Sequence, residues 1–450
     1  MKRSILPILA LTLGIVFTWY KILFQVPLGE GYYYFDPGQN FFGNVHLYNY
    51  DNLPRLIFDI LPPLFGDNLV LYQGFQLLSL ILLSITIYFV VNYFFKNKWL
   101  SFMTTFLFSI SYVGLFEMIA TGNYQRFIQR IPNFIFLFIA FYYLAKYFKT
   151  KNIRHYFTSI VIFGLTVFMA HYSTFLLPLF LIFPIITKPS LKSLLISASY
   201  FLVNYFFIKN DFYNPGLSAS SIIPTDKNFI DLILLQLSSI TYPPTFLSAI
   251  AQITQPYTKT IKLLSIPIII IYVIGIYLIK KREPKYLVFY LTSLLTLFSI
   301  LFLNFHIGKI NLLSFARGDR YYFISIEMLS KLGVGFVGGN RYYVLPLIFN
   351  SIIFSSIFWV ILKSKRKLFY LLSALLLAFY LIYNTKLSWK EIDQIQPVSN
   401  RMRVYLNDAK LISPELRTAR EIVTPREFIW SAQFVRLFYG NRDLKFIPKQ

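Results

Sequence analysis

Cysteine is absent from the 450 residues, charge is scarce, and acid is scarcer than base. With no thiol, disulfides, thiolate nucleophiles and cysteine metal sites are excluded. The 4 histidines are too scattered for a histidine-rich metal site. No HExxH, Walker A or GxSxG stretch occurs, so zinc-peptidase, nucleotide-driven and serine-hydrolase chemistries have no local support. Charged residues make up only 14% of the chain, where a soluble domain carries about a quarter.

What fills the gap is apolar and aromatic. Hydrophobic residues reach 56%, with 49 Phe and 34 Tyr. Repeated apolar runs of about 18 residues or more predict an all-α polytopic membrane protein. The runs fall near 5–24, 70–95, 99–119, 131–148, 156–171, 173–187, 193–209, 261–280, 286–304, 343–362 and 368–384, about eleven crossings. The start MKRS reads as the positive flank of an uncleaved first helix.

The net charge of +24 is distributed like a topology signal, not a nucleic-acid footprint. With the N-terminus in the cytoplasm, the inner turns hold Lys96 and Lys98; Lys146, Lys149, Lys151 and Arg154; Lys188 and Lys192; Lys280, Lys281, Arg282 and Lys285; and Lys363, Lys365, Arg366 and Lys367. Glu283 is the one acid among them. The pair 156–187 is either a hairpin or one long helix kinked at His171, which would invert everything after it. The long connections, 25–69, 120–130, 210–260, 305–342 and a short tail from 385, then lie on the extracytoplasmic side with nearly all the acids. Residues 1–384 form the membrane domain and 385–450 a small extracytoplasmic region. In that tail, Thr424-Pro425-Arg426-Glu427 reads as a capped helix start and Gly440 as its stop. Such a helix packs on the protein or lies on the membrane.

Chemistry-bearing residues sit where the chain leaves and re-enters the bilayer. The first outer loop contains GEGYYYFDPGQNFFGNVHLYNYDNLPR, 29–55. Asp36, held among Tyr and Phe near the membrane, is partly desolvated, which suits it to accept a proton near neutral pH. A turn at Asp36-Pro37-Gly38 is the competing reading, and Asp51-Asn52-Leu53-Pro54 also reads as a turn. In GNYQRFIQR, Arg126 and Arg130 stand at i,i+4 on one helical face, able to bind a lipid-linked phosphate or to snorkel among headgroups. Glu117 is an acid at membrane depth that requires a partner, and either arginine qualifies. Arg341 lies at a re-entry point beside Tyr342 and Tyr343, as a ligand group or an anchor. His171, in FMAHYSTFLLPLF, is either a site residue or a structural histidine in a helix break.

Together these segments resemble the GT-C superfamily of membrane glycosyltransferases. FDPGQNFFGNVHLYNYD resembles the first-loop segment of oligosaccharyltransferase catalytic subunits, and ATGNYQRFIQRIPNFIFLFIAFYYLAKYFKTKN the second outer loop and following span. MAHYSTFLLPLFLI resembles the family's span break, and GGNRYYVLPLIF the re-entry segment of mannosyltransferase-type and aminoarabinose-transferase-type members. The acidic second-loop motif of oligosaccharyltransferases is replaced here by Asn123-Tyr124-Gln125-Arg126, and WWDYG is missing. These departures argue against protein N-glycosylation and remove the usual acidic ligands of a divalent metal, so no cofactor is assigned.

The resemblance implies a prokaryotic cell-membrane enzyme, active on the extracytoplasmic face, that moves a sugar from a polyprenyl-phosphate donor to a glycan, lipid or protein acceptor. It implies Asp36 as the base, and Arg126, Arg130 and Arg341 as phosphate ligands. Asp51, Glu117 and His171 are additional substrate-facing candidates. An O-antigen-type polymerase, with 305–342 as its active loop, and a transporter or flippase for lipid-linked oligosaccharide are the alternatives. Nucleic acid is not an expected partner.

Overall fold

A computed structural model describes residues 2–25, 52–65, 68–119, 124–169, 171–212, 229–253, 263–307, 343–411, 420–424 and 445–448. Fifteen helices are described: α1 (Lys2–Trp19), α2 (Asn52–Phe65), α3 (Leu69–Phe95), α4 (Lys98–Ser109), α5 (Phe116–Ile119), α6 (Tyr124–Thr150), α7 (Ile153–Met169), α8 (Leu177–Thr187), α9 (Leu191–Phe212), α10 (Phe229–Thr241), α11 (Pro244–Ile253), α12 (Ser265–Arg282), α13 (Leu287–Ile307), α14 (Val344–Leu362) and α15 (Arg366–Leu411). A 3-10 turn, Tyr20–Phe24, extends α1, and another, His171–Leu176, joins α7 to α8. The only sheet among the described residues is a parallel pair, β1 (Glu421–Thr424) and β2 (Lys445–Pro448).

Five segments among the described residues are long and apolar enough to cross a membrane: Ile5–Phe24, Leu69–Phe95, Arg130–Thr150, Pro284–Leu303 and Val344–Gln394. The last runs through the turn between α14 and α15. Shorter apolar helices, Ile153–Met169, Thr174–Thr187 and Leu191–Phe207, accompany them. This is an all-α membrane protein. Helices apolar on every side belong inside the bundle, and α4 follows that rule: every residue from Leu100 to Ser109 is buried. It packs against α1, α3, α14 and α15. Small residues permit close helix contact; a Cβ at Gly275 of α12 would collide with the Tyr290 hydroxyl of α13 and with Ile357 of α14.

The five lysine-rich turns meet at one end of the bundle. Phe94 stacks on Phe289 at 4.1 Å and touches Phe141 and Phe183, joining the ends of α3, α13, α6 and α8. Tyr286 donates to the Phe95 carbonyl at 2.8 Å, Arg282 donates to Val360, and Lys192 lies over Tyr147. The only acid expected in these turns, Glu283, is buried and paired with Lys363 and Lys285.

The helices depart from the sequence expectation in four places. The run 99–119 is not one continuous helix: α4 stops at Ser109 and the chain turns through 110–115 before α5. The cause is tertiary. Gly114 has φ +75°, and a Cβ there would lie 2.8 Å from the Val344 amide. The Tyr112 amide donates to Asn384 Oδ1 at 2.8 Å. Of the two readings of 156–187, the structure follows the one with two helices, with the 3-10 turn beginning at His171 between them. Asn52 opens α2 instead of sitting in a turn. The last helix does not end at 384: α15 runs on to Leu411. Thr424 closes a strand instead of capping a helix, and the rest of that expected helix, with Gly440, lies outside the described residues.

Candidate functional site

The end of the bundle opposite the lysine-rich turns is built from chain exits and re-entries. The Trp19 indole donates to the Ser109 carbonyl at 3.1 Å, so α1 and α4 finish together. Gln73, near the start of α3, donates to the Gln25 carbonyl at 3.2 Å. Asn52, fully buried, donates to the Phe168 carbonyl at 3.0 Å and ties the start of α2 to the end of α7. Gly114 sits against the Tyr343–Val344 backbone, placing the start of α14 beside the break after α4. The start of α6 joins this end through contacts with α5 and with the 171–176 turn.

The extension of α15 closes one side. Thr385 and Thr18 share a hydrogen bond at 3.1 Å, and Trp389 donates to the Thr18 carbonyl at 3.1 Å. Lys21 pairs with Asp393 at 2.7 Å, and Gln25 donates to Gln396. Arg403 reaches the Phe24 carbonyl. This polar ladder holds the exit of α1, from which the loop carrying Asp36 departs.

Arg130 is the candidate whose surroundings are clearest. It lies on α6 and is 3% exposed, with Phe127, Ile131, Asn133 and Phe134 buried around it along the helix. It is not without a partner. A buried guanidinium is costly unless it is paired, so Arg130 does not serve as a headgroup anchor. Arg126 is on the same helix one turn earlier, so the i,i+4 relation holds in the backbone. Glu117 is on α5, which packs against α6, and His171 begins the 3-10 turn that also packs there. Asp36, Asp51 and Arg341 lie outside the described residues. Their described chain neighbours, Gln25, Asn52 and Tyr343, are all at this end of the bundle.

Sequence reasoning passed over the uncharged polar groups here. Gln73, Gln76, Asn133 and Asn384 are each 2% exposed or less. Their signal was an amide inside an apolar run, as in LVLYQGFQLL, which a search limited to titratable groups overlooks.

An apolar cavity of about 760 Å³ opens nearby, between α8, α9, α10 and α13. Leu181, Phe201, Phe298 and Phe302 contribute to its wall, and Thr174, donating to Asn204 Oδ1 at 3.1 Å, supplies a polar spot. Thr174 follows closely on His171, so the cavity adjoins the helix break. Among the described residues no three His, Asp or Glu side chains gather in a way that would hold a metal. No protein-family model and no curated protein matches the chain.

Proposed function

We propose that this is an integral-membrane glycosyltransferase of the GT-C type, crossing the bilayer about eleven times with its N-terminus in the cytoplasm. It resides in the cell membrane of a prokaryote and takes a sugar from a polyprenyl-phosphate donor on the extracytoplasmic face. Asp36 removes the proton of the acceptor hydroxyl as that oxygen attacks the anomeric carbon. The bond from that carbon to the phosphate oxygen breaks, and polyprenyl phosphate departs with the electron pair. One displacement inverts the anomeric centre. Arg126, Arg130 and Arg341 offset the charge that grows on the departing phosphate.

The observation that carries the reading is the buried guanidinium of Arg130 at the end opposite the lysine-rich turns. Cation buried in a bundle of apolar helices implies an anionic partner or ligand. The apolar cavity beside the helix break supports a donor with a long isoprenoid tail.

The test is transfer by the purified protein in detergent, with a panel of synthetic polyprenyl-phosphate hexoses and a mixed glycan and lipid acceptor pool. Wild type forms glycosylated product and free polyprenyl phosphate together. Release of polyprenyl phosphate without a glycosylated acceptor, or no turnover of any donor, contradicts the proposal.

A further inference from the structure

The lysine-rich end contains a pocket that the proposed reaction does not use. It encloses about 640 Å³ where the turn after α3, the turn between α12 and α13, and the turn between α14 and α15 converge on Pro7 of α1. Among the described residues Lys96, Lys98, Lys285, Lys363 and Arg366 line it, against a single acid, Glu283. Glu283 is committed to its pairs with Lys363 and Lys285, so the lining keeps a cationic excess. The largely buried Trp359 side chain also lines the pocket.

We infer that this pocket binds the phosphate of an anionic phospholipid headgroup. The lipid source is favoured over free phosphate by what flanks the pocket. Leu6 of α1 is 72% exposed and Leu371 of α15 58% exposed, next to the lining residues Pro7 and Tyr370. The pocket therefore has exposed apolar helix beside it, as a headgroup with acyl chains needs. Basic pockets between spanning helices are suited to such headgroups. The inference is independent of the reaction at the opposite end.

The experiment is a lipid titration of the purified full-length protein in detergent, read by native mass spectrometry and by melting temperature. Phosphatidylglycerol, phosphatidylcholine and inorganic phosphate are the three probes. Phosphatidylglycerol is expected to remain bound and raise the melting temperature, while the other two do not. Lys96→Asn with Arg366→Gln, which spares the Glu283 pairs, weakens phosphatidylglycerol binding by about tenfold or more. Lys188→Gln with Lys280→Gln removes equal charge outside the pocket and leaves binding unchanged. The single changes Lys96→Asn and Arg366→Gln each weaken binding by less than the pair, so the test survives if the pair fails to fold. Equal retention of phosphatidylcholine, equal stabilisation by phosphate, or equal loss in both charge pairs overturns the inference.

Discussion

Arg130 and Gly114 carry most of the argument at the scale of single residues. Arg130 is buried at the head of α6; in the proposed reaction its guanidinium would bind phosphate through two parallel hydrogen bonds, which an ammonium cannot make. Arg130→Lys is therefore expected to lower transfer by about tenfold or more while the protein stays folded, since a lost charge-assisted hydrogen bond contributes on this scale. Turnover measured beside a melting curve checks this; unchanged turnover removes Arg130 from the site. Gly114 adopts φ +75° against the Val344 amide. Gly114→Ala is expected to cost about 1–3 kcal/mol through backbone strain, seen as a lower melting temperature. An unchanged melting temperature contradicts the close approach of α14 to the turn after α4.

At the scale of elements, the decisive feature is the length of α15. Its 46 residues extend to about 70 Å at 1.5 Å per residue, roughly twice a bilayer's hydrocarbon thickness. The part beyond Asn384 is held by its ladder to α1. Because the chain has no cysteine, Thr18→Cys with Thr385→Cys gives a clean crosslink. The two hydroxyls are 3.1 Å apart, so a disulfide is expected on mild oxidation, detected as a mobility shift that reductant reverses. No crosslink in the folded double variant contradicts the ladder. The membrane helices were legible because burial in lipid demands long apolar runs, and the lysine-rich turns between α3 and α4, α6 and α7, α8 and α9, α12 and α13, and α14 and α15 fall where the charge clusters marked them. The break at 110–115 was not legible. The stretch FLFSISYVGL carries no charge and only two serines, and what bends it is Asn384 and the α14 backbone, both distant in sequence. The extension of α15 was hidden for the opposite reason. KEIDQIQPVSNRMR is polar and contains Pro397, which weakens a helix on its own, yet packing on α1 carries the helix through. Of the site, the spacing of Arg126 and Arg130 was readable. That α2, α5, the 171–176 turn and the start of α14 share one end was not, because contacts between helices distant in sequence decide it.

At the scale of the whole molecule, the protein has two chemically different ends. One gathers the lysine-rich turns, and the other gathers the chain exits, the buried arginine and the apolar cavity. The proposed topology puts them on opposite faces of the membrane. Single cysteines at Lys151 and at Asn44 are expected to react with a membrane-impermeant maleimide from opposite sides of sealed vesicles; labelling from the same side overturns the topology. The most direct test of the central claim is transfer from a polyprenyl-phosphate sugar by purified wild type and by Asp36→Asn at matched stability. The account predicts turnover by wild type and a loss of about a hundredfold or more in the variant, the scale of a missing general base. Full transfer by a stably folded Asp36→Asn protein would contradict it.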